Sequence, residues 1–273
     1  MKGLQPEDYL EPACIFCKPE DSEIRRVDLR RCLTRLDELL GHNDYAAARR
    51  HLDYWKTEAL AGKDLRGLLS IENERMGLFR KLGDEAAAWE AMESALSLIA
   101  STELEDSVTA ATTYLNAATV LKRFNRAAEA LPLYEQARGI YDRTLSPEDP
   151  RRAGLCNNMA LTLTDLGRYA EARVLYEQAL SIMIQQPDGA LELAVTELNL
   201  ADLAAAEQGL LDAETEIEAR LDRAWTLLNQ PGLSRDGSYA LFCEKCASVF
   251  GYYGRFADEQ ELRQRAEEIY AGT

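Results

Sequence analysis

The stretch NRAAEALPLYEQA, residues 125–137, is matched 42 residues later by GRYAEARVLYEQA, residues 167–179. Both stretches have a turn-forming residue, an alanine five residues later, a tyrosine four residues after that and a final alanine three residues further on. Looser copies of this spacing begin at four other positions: Asn43, Gly83, Gly209 and Gly254. Regular spacing over most of a chain indicates a stack of similar units, here about six between residues 24 and 270.

Each unit has the pattern of a helical hairpin. Glycine or asparagine tolerates the left-handed backbone that ends one helix and turns into the next. After the turn at Gly167, the residues Ala172, Leu175, Tyr176 and Ala179 share one helix face. Three proline-containing segments separate units: residues 146–150, 186–189 and 229–232. The sequence therefore predicts an all-α chain of about twelve helices. Two departures are also expected, extra helix after Gly209 and a kink or late helix start at Pro132.

The pattern resembles the tetratricopeptide repeat, and its period is similar to the longer variant in kinesin light chains. The segments that carry this resemblance are residues 141–150, 157–160 and 166–172, within a good match over about residues 104–208. The resemblance implies a right-handed α-solenoid of about six tetratricopeptide-like hairpins. It would occupy residues 24–273, end in a capping helix and follow an N-terminal extension, residues 1–23. Its concave face, lined by the first helix of each hairpin, would bind extended or helical peptides.

Charge and composition narrow the range of partners. With 31 basic and 47 acidic side chains the formal charge is −16, which disfavours nucleic acid and anionic membranes as partners. No apolar run reaches the length needed to span a bilayer, and the amino terminus lacks the apolar core of a signal peptide. We therefore expect a cytoplasmic protein whose cysteines stay reduced and whose partner is a protein or peptide.

Three asparagines, Asn116, Asn158 and Asn199, each precede by two residues an alanine that marks a hairpin crossing. This position is expected on the concave side of the first helix, where an amide can donate to and accept from a peptide main chain. The resemblance agrees, since related repeats use asparagine in this way. The alternative is that these side chains contact the neighbouring repeat or water.

Four basic residues are expected on the same face, at the carboxyl ends of two first helices: Arg80, Lys81, Lys122 and Arg123. They could bind a carboxylate or phosphate of a partner that carries acidic groups. The alternative is that they only complement the dipoles of their helices. The chain does not reproduce the lysine and asparagine arrangement with which chaperone-type members of the family hold a carboxyl-terminal tail.

Four cysteines fall on core positions of the first helices: Cys32, Cys156, Cys243 and Cys246. They are predicted to be small buried hydrophobic residues, free of disulfides and of metal. The remaining pair, Cys14 and Cys17, is expected to form part of a hydrophobic cap, with a local metal or redox site as the alternative. The only histidines, His42 and His51, have no recognisable catalytic partner, so neither enzymatic activity nor a cofactor is expected.

The leading hypothesis is a peptide-binding adaptor or scaffold that uses the concave groove. A structural self-assembly module is the second, although the polar residues of the last helix, residues 256–271, are suited to ending a solenoid in water. The third is a ligand-sensing domain like those of bacterial peptide-responsive regulators. Such regulators usually carry a further effector domain, which the roughly 23 residues outside the array could not form.

Overall fold

The computed structural model describes residues 24–272, which contain twelve helices and no strand. The helices are α1 Leu29–Gly41, α2 Tyr45–Ala61, α3 Leu65–Leu82, α4 Glu85–Ser101, α5 Val108–Arg123, α6 Ala127–Thr144, α7 Pro150–Asp165, α8 Tyr169–Met183, α9 Ala190–Gln208, α10 Glu214–Leu228, α11 Gly237–Tyr252 and α12 Phe256–Gly272. None of these described helices combines the length and apolarity of a membrane span.

Consecutive helices pack in pairs, from α1 with α2 to α11 with α12, so the described residues form six helical hairpins. The predicted all-α fold of about six hairpins is therefore confirmed. The hairpins fall into two compact units, and the boundary follows Thr144. We call residues 24–144 the N-terminal unit and residues 145–272 the C-terminal unit. Each unit contains three hairpins. That all six form one continuous solenoid stays a prediction.

The six predicted turn residues all have a positive φ: Asn43 55°, Gly83 70°, Asn125 62°, Gly167 72°, Gly209 86° and Gly254 80°. Only glycine adopts this backbone region without steric cost, and asparagine is the side chain that tolerates it best. The expected extra helix after Gly209 is wrong. Helix α9 ends at Gln208 and α10 begins at Glu214, so a longer turn, residues 209–213, separates the two helices.

Aspartates fix the starts of many helices. Asp44 and Asp84 follow the first two turns, and their carboxylates accept the backbone N–H groups of Ala47 at 2.9 Å and Ala87 at 3.1 Å. Each bond satisfies one of the backbone donors that a helix leaves unpaired at its amino end. In the C-terminal unit, Asp149 plays this role for α7.

Small and aromatic residues build the core of each hairpin. Ala130, Ala137 and Tyr134 of α6 are fully buried, as are the matching residues of α8. Alanine allows two helix backbones to approach closely, and the aromatic ring fills the space beside them. The late start predicted for Pro132 is wrong, since α6 begins at Ala127 and runs through the proline. Pro132 leaves this helix one backbone N–H donor short.

Candidate functional site

In the N-terminal unit, asparagines join the first helices of two neighbouring hairpins. The buried Asn73 of α3 donates through Nδ2 to Thr113 Oγ1 of α5 at 2.9 Å and to its own helix at Leu69 O. Its Oδ1 accepts a hydrogen bond of 2.8 Å from Asn116 Nδ2. One donor of the half-buried Asn116 therefore contacts the neighbouring repeat.

An equivalent bridge occurs in the C-terminal unit between α7 and α9. Asn157 Nδ2 donates to Thr196 Oγ1 at 2.9 Å, and the threonine hydroxyl lies 3.2 Å from Asn157 Oδ1. Sequence reasoning missed Asn73 and Asn157. Each lies one position earlier in its helix than the repeat position that Asn116 and Asn158 define. A signal was present, because both lie ten residues before their turn glycines, Gly83 and Gly167.

The two predicted asparagines of the C-terminal unit form few hydrogen bonds within the described chain. Asn158 and Asn199 are both half-buried. Asn158 Nδ2 donates to Gly154 O of its own helix at 2.8 Å. Among residues 24–272, nothing hydrogen-bonds to the amide oxygen of Asn158 or to either end of the Asn199 amide. An amide with a free oxygen at a half-exposed position can accept an N–H group from a ligand.

The four predicted basic residues lie at the carboxyl ends of α3 and α5. Arg123 reaches across to the end of α3, where its Nη2 lies 3.9 Å from the place that a Cβ on Gly83 would occupy. Lys81 is exposed and lies 5.0 Å from the centre of the Tyr45 ring. Burial lowers the pKa of the Arg80 guanidinium. Within the described chain, no carboxylate forms an ion pair with Arg80, Lys81 or Arg123.

The negative charge of the protein is unevenly divided. Residues 24–144 contain 18 basic and 19 acidic side chains, which gives a net charge of −1. Residues 145–273 contain 11 basic and 22 acidic side chains, a net charge of −11. The basic residues at the ends of α3 and α5 therefore belong to a nearly neutral unit, while any ligand of the C-terminal unit meets an acidic surface.

A buried carboxylate occupies a position that sequence reasoning assigned to hydrophobic residues. Glu72, eleven residues before its turn glycine, contacts Lys56 Nζ at 2.9 Å and Arg75 Nε at 3.1 Å. In the C-terminal unit, Glu197 contacts Arg220 at 2.9 Å and Arg223 at 3.1 Å. These ion pairs join helices inside each unit, so they contribute to the packing of the hairpins.

The four cysteines predicted to be buried are buried, and none is in a disulfide. Burial raises the pKa of the Cys32 and Cys246 thiols to about 12 in each case. In the described part of the chain, histidine, cysteine and carboxylate side chains form no group of three that could hold a metal ion. The predictions for Cys14 and Cys17 lie outside the described residues.

Thiol alkylation should distinguish native from unfolded protein. With a pKa of about 12, only about one Cys32 or Cys246 side chain in 10⁴ is a thiolate at pH 8. Peptides containing these residues should therefore remain unmodified by iodoacetamide in native protein and be modified fully in urea, as measured by mass spectrometry. Equal modification rates under the two conditions would show that the thiols are not protected by the fold.

Comparisons with known proteins agree with the hairpin architecture. A family model described as tetratricopeptide repeat matches residues 110–151 and 152–185. The chain is similar to the crystal structure of BtubC (BKLC) from P. vanneervenii, with 21% identity, a TM-score of 0.55 and coverage of 85% of this chain and 91% of that one. No curated protein matches the chain.

A second similar structure is a putative kinesin light chain from Podosopora anserina with nearly identical TPR-like repeats. It shares 21% identity over 75% of this chain and 95% of that chain, with a TM-score of 0.49. A single-substitution variant of it has 20% identity, the same coverage and a TM-score of 0.50.

The hairpins and the matched segments define an all-α repeat protein. The family model covers residues 110–185, and the predicted resemblance to tetratricopeptide repeats of the kinesin light chain type is confirmed. This class of fold generally serves as a non-catalytic scaffold for protein interactions, so an interaction or scaffold role is supported in general.

Proposed function

We propose that the chain is a cytoplasmic adaptor that binds a protein or peptide segment along the half-exposed side of its first helices. In the C-terminal unit, Asn158 and Asn199 contact the main chain of this segment. The observation that carries the proposal is that these half-exposed amides keep free hydrogen-bonding groups on consecutive first helices of one unit. Amides that bond to main-chain groups give affinity with little dependence on the ligand's sequence.

The basic residues at the ends of α3 and α5 form a second proposed contact surface, within the N-terminal unit. Arg80, Lys81, Lys122 and Arg123 bind acidic groups of the ligand in the nearly neutral N-terminal unit. The lowered pKa of Arg80 reflects a guanidinium that has lost water, and a ligand carboxylate would replace that lost solvation. A segment bound by the acidic C-terminal unit is expected to be less acidic.

Self-assembly and ligand sensing are the other functions considered from the sequence. The last helix, α12, has few buried side chains, Leu262 and Ala266, and most of its other side chains are polar, with Phe256 as an exposed apolar exception. That outer face supports an array that ends at α12 over one that stacks end to end. No observation in the described chain specifically favours a sensing role.

A peptide selected from a random library on the full-length protein provides the test. The double variant Asn158→Ala with Asn199→Ala loses two hydrogen bonds to the main chain of the peptide. Its binding free energy should be less favourable by about 1–3 kcal/mol, which weakens binding about 5- to 150-fold. Calorimetric titration of the same peptide into both proteins measures the difference.

The matched control is Gln260→Ala with Gln264→Ala, which deletes two exposed amides from α12 of the same unit. This variant should bind the peptide as the unmodified protein does. Unchanged affinity in the asparagine variant, with its circular dichroism spectrum also unchanged, would refute the proposed contacts.

A further inference from the structure

The C-terminal unit has an apolar groove that the proposed function does not use. Helices α8, α9 and α10 enclose about 570 Å³ there. Leu180 and Ile184 line one side, Leu193 the second and Leu227 the third. Ile184 is 74% exposed, although isoleucine is among the residues most often buried. The volume is large enough for several aliphatic side chains of a partner.

Charged residues border this groove. Arg223 lies on its wall and pairs at 3.1 Å with Glu197, a carboxylate that Arg220 also contacts at 2.9 Å. Asp222 lies on the rim with most of its side chain exposed, and its Oδ1 pairs with Arg255 Nη1 at 2.8 Å. The exposed Glu177 is one helical turn before Ser181, another lining residue, on α8. The border of the groove therefore carries both acidic and basic side chains, in a unit whose net charge is −11.

The groove and the side chain of Asn199 lie on opposite sides of α9. Glu197 lines the groove, and Asn199 follows it by two residues, which is a rotation of about 200° around a helix. A ligand held by Asn158 and Asn199 therefore leaves the groove open, so the two surfaces can act independently.

We propose that this groove binds an amphipathic, basic helix of a partner protein. Aliphatic side chains on one face of that helix enter the space between Leu180, Ile184, Leu193 and Leu227. Lysine or arginine residues at the edges of the same helix contact Glu177 and Asp222. The apolar lining matches the anchors of helix-in-groove recognition, and the net charge of −11 on the unit favours basic flanking residues. An acidic partner helix is repelled by that charge.

A synthetic helical peptide with leucine on one face and lysine on the other is the probe. Fluorescence anisotropy should show that Ile184→Lys weakens binding of this peptide at least tenfold, since a charge then occupies the apolar groove. The matched control is Leu60→Lys, which makes the same change at a side chain that is 54% exposed in the N-terminal unit. This control should keep the affinity of the unmodified protein within about twofold, because its charge change lies outside the groove.

Equal weakening in both variants would mean diffuse attraction to an acidic protein and would overturn the proposal. Equally tight binding of a peptide with glutamate in place of lysine would overturn it as well. Analytical ultracentrifugation of the unmodified protein and of Ile184→Lys measures their oligomeric states. A dimer that becomes a monomer in the variant would show that a second copy of this chain occupies the groove, and the proposed partner would then be wrong. The double variant Asn158→Ala with Asn199→Ala should bind the probe normally, which separates this test from that of the proposed function.

Discussion

Replacing Glu72 by alanine is expected to lower the free energy of unfolding of the N-terminal unit by about 3–5 kcal/mol. The Glu72 side chain is 0% exposed and holds both Lys56 and Arg75. Ser94 donates a further hydrogen bond to it at 3.2 Å. Removing the carboxylate takes away one of the two carboxylate partners of the buried Arg75 guanidinium, which keeps Asp53, and breaking a buried ion pair from one side is strongly destabilising.

Urea denaturation followed by circular dichroism measures this effect, and hydrogen exchange shows which unit opens. Arg168→Ala is the control, because Arg168 and Glu171 form an exposed pair at 2.7 Å on the surface. Exposed pairs of this kind contribute only about 0–1 kcal/mol. A loss for Glu72→Ala as small as that for the control would show that the buried network does not stabilise the fold.

The second large effect is expected for Tyr176→Ala, which should lower the free energy of unfolding by about 3–5 kcal/mol. The ring of Tyr176 is fully buried, as are Ala172 and Ala179 on the same face of α8. Deleting it leaves a cavity where the two helices of the fourth hairpin cross. Helix backbones held by many neighbours close such a cavity only in part. The variant therefore loses the free energy of burying the ring and also bears the cost of the cavity that remains.

Tyr176→Phe is the matched control, since it keeps the ring and should change the stability by less than about 1.5 kcal/mol. Thermal and urea unfolding of the two variants can be compared directly. If alanine at this position is tolerated as well as phenylalanine, the aromatic ring of the repeat does not carry the packing energy assigned to it.

The hairpins could be predicted because their turn residues recur at nearly constant spacing. Once residues 125–137 and 167–179 were aligned, the period located the remaining turns, and all six have the expected positive φ. The same alignment predicted the burial of Cys32 and Cys156, because residues at equal offsets from a turn occupy equal places in a stack.

The binding surface was less predictable. Adjacent helical residues point about 100° apart, so the repeat period alone cannot decide which of two neighbouring asparagines meets the next hairpin. In α7 that residue is Asn157, while Asn158 bonds only within its own helix. The role of Glu72 was missed for a related reason. Its partner Lys56 lies on the preceding hairpin, and composition gives no sign of a contact between these elements.

The fifth turn shows where such an array can change in length. Residues 209–213 lengthen the connection between α9 and α10, yet Thr196 still meets Asn157 across the first helices. Residues 209–212 are exposed, Leu211 at 89%, while Ala213 at the end of the turn is buried. Insertions and deletions acquired during evolution can therefore accumulate at this tip without shifting the helix faces, and a fluorophore attached there would report on the protein without entering its core.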